Sequence, residues 1–182
     1  MSYAVIAVLI YLVFIGLAHR YMPSDYDWKR SPVSRLSART LDTYWIPLLG
    51  TVLFSSIFLG GIGFQFINGH IDWMEKLPIA FFAFSMLMSA FFRPAPADNE
   101  DHFPDHRDML NNLFMLLAGL SFLIGILIYF VSVPGILQKL VHFSFLVILS
   151  IAYLSHGIFT RFNGVVERVI LLISCVWLIF FY

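Results

Sequence analysis

WIPLLGTVLFSSIFLGGIGFQFI, residues 45–67, is a run without one charged side chain. A helix of that length spans roughly 35 Å, enough to cross the ~30 Å hydrocarbon core of a bilayer with some tilt. MLNNLFMLLAGLSFLIGILIYFVSV, residues 109–133, reads the same way. Two such runs in one short chain decide the fold class, and the remaining apolar runs are read in their light.

Four further runs complete the set: residues 3–18, 78–92, 140–159 and 165–182. The expected fold is therefore all-α, a single domain over residues 1–182 built as a polytopic bundle of six transmembrane helices. The run 78–92 is short and calls for local thinning of the bilayer. Composition agrees, since 60% of the 182 residues are hydrophobic and only 12% charged, against roughly 25% charged in soluble domains. A soluble fold of this size could not hide so much apolar surface, whereas lipid can cover it. The N-terminal run has no positive n-region, and Leu17-Ala18-His19 is a poor cleavage site, so it reads as a retained first span.

The loops alternate in charge. Loop one carries Arg20, Lys29, Arg30, Arg35 and Arg39; loop three carries Arg93 and Arg107; loop five carries Arg161 and Arg168. The even loops carry only Lys76 and Lys139. By the positive-inside rule the odd loops are cytoplasmic and both termini lie on the non-cytoplasmic side, most simply in a bacterial cytoplasmic (inner) membrane. Gly60, Gly61, Gly63, Ala118 and Gly119 allow close helix approach. Tyr44, Trp45, Trp73, Tyr129 and Tyr182, at run ends, are expected at the interfaces.

The polar segments offer several chemistries. In loop one, Lys29, Arg30, Arg35 and Arg39 beside Tyr26 and Trp28 suit anionic lipid headgroups. In loop three, Asp98, His102 and His106 belong to the ligand set of zinc, manganese or non-haem iron. Pro104 falls between the two histidines and prevents an i, i+4 pair on one regular helix. Pro104, Asp105 and Asp108 also describe a plain helix start, where acids favour the dipole. In span five, His142 and His156 fall about 40° apart around the helix and about 21 Å along it. That is the spacing of axial ligands to two stacked b-type haems, with His70 and His19 as second ligands at the two ends.

Several functions are disfavoured. Zero net charge gives no reason to expect a nucleic-acid partner. The single cysteine, Cys175, excludes an intrachain disulfide and reads as an apolar filler. There is no Gly-x-Ser-x-Gly elbow, phosphate loop or dinucleotide fingerprint. No span carries an ionisable group at its middle, which counts against a pump; Glu167 and Arg168 sit at the start of span six. A solute path could be lined by Ser55, Ser56, Gln65, Asn111, Asn112, Ser121, Ser150 and Ser155.

Three short motifs carry a family resemblance. Tyr26-Asp27 followed by Val33-Ser34-x-Leu36, then Phe91-Phe92-Arg93-Pro94 with Asp98, then Gly164-Val-Val-Glu167-Arg168 followed by Trp177, resemble the six-span family known as domain of unknown function 998. The resemblance follows span order over nearly the whole chain and implies a six-span fold without an assigned reaction. It also implies a histidine a few residues inside span four, where this chain has Asn111 and Asn112, unless His106 fills that role. The expected function is a non-enzymatic membrane protein, without a required cofactor, that binds lipid, a partner membrane subunit or a second copy through its cytoplasmic loops. The alternatives are a metal- or haem-dependent membrane enzyme or electron-transfer protein, and a small-solute transporter or channel.

Overall fold

A computed structural model describes residues 2–22, 26–31, 33–37, 42–69, 73–92, 106–158 and 162–182. Among them are six long helices: α1 Tyr3–Arg20, α2 Trp45–Ile67, α3 Trp73–Phe91, α4 His106–Ser132, α5 Ile136–Ile158 and α6 Asn163–Phe181. No strand occurs among the described residues. All six helices are long and apolar enough to cross a bilayer, so the chain is an integral membrane protein.

The helices close into a ring in chain order. Each packs on its sequence neighbours, and α6 returns to α1. Tyr3 and Tyr182 meet edge to face with ring centroids 6.1 Å apart, so both ends of the chain lie at one end of the bundle. The described loop-one residues 26–31 and 33–37 lie with the first residues of α6 at the opposite end. Much apolar surface faces outward, and α5 turns Leu137, Leu140, Ile151 and Leu154 away from the bundle.

Inside the ring the core is aromatic. Phe54, Phe82, Phe122 and Trp177 form a chain of contacts from α2 through α3 and α4 to α6, with centroids 6.0, 5.0 and 5.4 Å apart in turn. Rings in such geometry contribute beyond the area they bury. In lipid, where no solvophobic force drives helices together, dense packing of this kind is what holds them.

One sequence expectation is corrected. The third helix already runs at Trp73, not from Pro78, because Glu75 and Lys76 lie in its first turns although they interrupt the apolar run. Lys76 is accommodated by neighbours: its Nζ lies 3.8 Å from the Tyr182 ring centroid and donates to the Tyr129 hydroxyl at 3.2 Å. Tyr129 is buried against Lys76 and Tyr182 near that end of the bundle, whereas Trp45 and Trp73 are exposed. The start of α4 matches expectation at Asp108, which sits in its first turn.

Glycines mark two of the close approaches. A side chain at Gly61 would collide with the Tyr3 ring, and one at Gly119 would lie 2.9 Å from the Tyr153 hydroxyl. Around Gly60 and Gly63 there is open space.

Candidate functional site

At the end of the bundle opposite the termini, the first residues of α6 grip loop one. The gripping side chains are Glu167 and Arg168. Glu167 accepts the backbone N–H of Val33 at 2.6 Å and so holds the start of a short 3-10 helix, Val33–Ser37. Arg168 works on the other side of the same segment. Its Nη1 donates to the carbonyls of Trp28 at 2.8 Å, Ser31 at 3.3 Å and Gly164 at 2.6 Å. Its Nε and Nη2 donate to His19 Nε2 at 3.1 and 2.8 Å, and Nη2 also reaches the Tyr26 hydroxyl at 3.1 Å. Only the planar five-donor fork of arginine can serve so many acceptors at once.

The segment is built to be gripped. Asp27 folds a turn, its side chain accepting from Lys29 N at 2.9 Å and its carbonyl from Ser31 N at 2.7 Å. Tyr26 Oη donates to the Ser31 carbonyl at 3.1 Å. Val33 and Leu36 then anchor the 3-10 helix by burial, exposed only 5% and 2%. The backbone of loop one meets α6 directly, where Val165 N donates to Lys29 O at 3.3 Å. Gly164 makes that approach possible, since a Cβ there would lie 2.5 Å from Ser31 O and 2.6 Å from Trp28 O.

His19 closes the arrangement from α1. Its Nδ1 lies 2.8 Å from the Ile15 carbonyl, which can only accept, so the proton sits on Nδ1 and Nε2 is free to accept from Arg168. Both ring nitrogens are thereby engaged within the protein.

Beneath the clamped segment lies a cavity of about 130 Å³, with Val33 and Ser37 on its wall. Phe54, Phe82 and Leu178 give it apolar sides, and Glu167, Asn111, Thr51 and Tyr153 give it polar ones. Asn111 is 6% exposed and donates its amide N–H to the Ser89 carbonyl at 2.9 Å.

The candidate residues separate cleanly by place. Lys29 and Arg30 are exposed on the clamped loop, with the Lys29 ammonium 5.8 Å from the Trp28 ring centroid and Arg30 Nε 3.6 Å from Asp27 Oδ2. The Arg35 side chain and Arg39 lie outside the described residues. So do Asp98, His102 and His70, and the side chain of His156. His106 is exposed at the start of α4, and no group of three metal-ligating side chains occurs among the described residues. His142 is buried near the termini, where its Nδ1 accepts from Trp177 Nε1 at 3.1 Å and its ring lies 4.7 Å from Phe181. Of the path-lining candidates, Asn111 reaches the cavity. Ser56 and Asn112 face outward, and Gln65 accepts from Tyr3 Oη at 3.4 Å.

Sequence reasoning passed over Glu167 as an interfacial charge, although it both holds loop one and lines the cavity. The signal was present in the resemblance itself. Two of its three motifs, around residues 26–36 and 164–168, are the two halves of one clamp.

The family model for a protein of unknown function (DUF998) matches residues 5–182. No curated protein matches the chain, and no solved structure does. With its matched region covering nearly the whole chain, including five helices in full and α1 from residue 5, the chain belongs to the DUF998 family.

Proposed function

We propose that this is a non-enzymatic protein of the bacterial inner membrane whose loop-one face lies on the cytoplasmic side and binds anionic lipid headgroups. The observation that supports this reading is the clamp. Arg168 spends its donors on loop-one backbone and on His19 and Tyr26, which fixes the segment while leaving Lys29, Arg30 and Trp28 exposed on it. A basic pair beside an indole, held rigid at the end of a bundle, meets the headgroup layer without losing loop entropy on binding. The charge bias of the odd loops supports the same orientation.

The test is native mass spectrometry of protein released from bilayers of mixed phosphatidylglycerol and phosphatidylcholine. Each basic residue near an anionic surface is worth about 1 kcal/mol. The K29A/R30A variant is therefore expected to lose most of the retained phosphatidylglycerol while keeping its phosphatidylcholine. Equal retention of both lipids by the unaltered protein contradicts the proposal.

A further inference from the structure

We infer that the short helix Val33–Ser37 is a lid on the cavity, latched by Glu167 and Arg168, and that unlatching it admits water-borne molecules to the bundle interior. The inference is independent of headgroup binding, which concerns the outward side of the same loop. The lid covers the cavity lengthwise. Val33, its first residue, and Ser37, its last, both lie on the cavity wall, so the whole 3-10 turn, about 8 Å long, forms part of that wall. Among the described residues it packs on α1, α2 and α6, the helices that bring Tyr11, Thr51 and Cys175 to the same cavity.

The lid is the part of the described wall that moves most readily. The other walls are inner faces of long helices, joined by the ring contacts of Phe54, Phe82, Phe122 and Trp177. A five-residue 3-10 helix has little stability of its own, and such segments open locally well before a packed core does. Val33 and Leu36 hold it by burial. Glu167 on the Val33 N–H, and Arg168 on the Trp28 and Ser31 carbonyls, then fix its approach.

The far side of the cavity is shut by rings. Phe58 lies between Phe54 and Tyr182, at 4.9 and 5.5 Å, and Trp177 lies between Phe122 and Tyr129, at 5.4 and 5.2 Å. These contacts fill the half of the bundle toward the termini. The cavity is thereby a pocket of the loop-one half, with the lid on its aqueous side. Cys175 reports on the position of the lid. It is the only cysteine in the chain, is 5% exposed and lies on the cavity wall. It follows Glu167 by eight positions along α6, which sets it about 12 Å deeper.

Thiol modification of the full chain in nanodiscs by trimethylammonium-ethyl methanethiosulfonate, followed by intact mass, tests this. The fixed charge keeps the reagent out of lipid, so it reaches Cys175 from water. Cys175 is expected to react far more slowly than the exposed thiol of a Lys29→Cys variant in a Cys175→Ser background. Arg168→Lys keeps the charge but loses the fork, and should accelerate Cys175 modification about tenfold or more. Gly164→Ala, which presses on the Trp28 and Ser31 carbonyls, should also accelerate it and serves as the second variant should Arg168→Lys fail to fold. His142→Leu weakens the other end of the bundle and should leave the rate unchanged. Folding is checked by circular dichroism and tryptophan fluorescence. A Cys175 that reacts as fast as the exposed thiol in the unaltered protein overturns the inference. So does a rate that neither folded latch variant raises, or one that His142→Leu raises as much as they do.

Discussion

The Arg168 guanidinium and the His19 imidazole, 149 positions apart in the chain, meet at 2.8 Å and join the first residues of α6 to the end of α1. Because His19 Nδ1 is committed to Ile15 O at 2.8 Å, its Nε2 is locked as an acceptor facing Arg168. That fixed acceptor, with the loop-one carbonyls, holds the guanidinium over the segment 26–33.

Replacing Arg168 should therefore loosen loop one without unfolding the bundle. Hydrogen bonds to charged groups contribute about 1.5–3 kcal/mol each, and about 1.4 kcal/mol corresponds to a factor of ten in local opening. Arg168→Lys retains the charge but not the fork. Trypsin cleavage after Lys29 or Arg30 in intact nanodiscs is expected to accelerate by about tenfold or more in this variant. A rate equal to that of the unaltered protein contradicts the clamp.

Gly164→Ala tests the same contact from the backbone. Its methyl would lie 2.5 Å from Ser31 O and 2.6 Å from Trp28 O, so loop one must move away. A loss of about 1–3 kcal/mol is expected, as for other overpacked sites, read as a lowered melting temperature in detergent. Gly60→Ala is the control, since nothing lies within 4 Å of its added carbon, and it should be neutral or slightly stabilising.

The bundle was legible in the sequence and the clamp was not, for physical reasons. An uncharged run announces a span by itself, and the run 45–67 reproduces α2 Trp45–Ile67 residue for residue. Where charge enters a helix the reading slips. Lys76 interrupts the apolar run, yet it stays in α3 because the Tyr129 hydroxyl and the Tyr182 ring receive it. The clamp joins Val33 to Glu167 across 134 positions, and no local periodicity encodes such a pairing. Asn111 was singled out as polar within a span, but its place on a cavity wall depends on helices far away in the chain.

His142 and Trp177 form a second buried pair at the other end of the bundle, joined at 3.1 Å. Removing one partner strands the other at a cost of about 1–3 kcal/mol. His142→Leu and Trp177→Phe should each destabilise the protein to reversible denaturation in mixed micelles. The double variant should lose less than the sum of the two. Strict additivity would show that the two side chains do not interact.

Ser85 makes the opposite prediction. Its hydroxyl is fully buried in α3 with no hydrogen-bond partner among the described residues, so the folded state bears its desolvation cost. Ser85→Ala should leave stability unchanged or raise it by about 1 kcal/mol. A marked drop in melting temperature would reveal a bond that the hydroxyl makes.

The central claim is that loop one is docked against the start of α6, and cysteine cross-linking tests it most directly. Val165 N and Lys29 O lie 3.3 Å apart, which brings the two backbones within the reach of a disulfide. In a Cys175→Ser background, K29C and V165C should form an intramolecular disulfide rapidly under mild oxidation in native membranes, and adding Arg168→Gln should slow its formation. Two thiols that stay reduced and fully open to maleimide labelling would contradict the account.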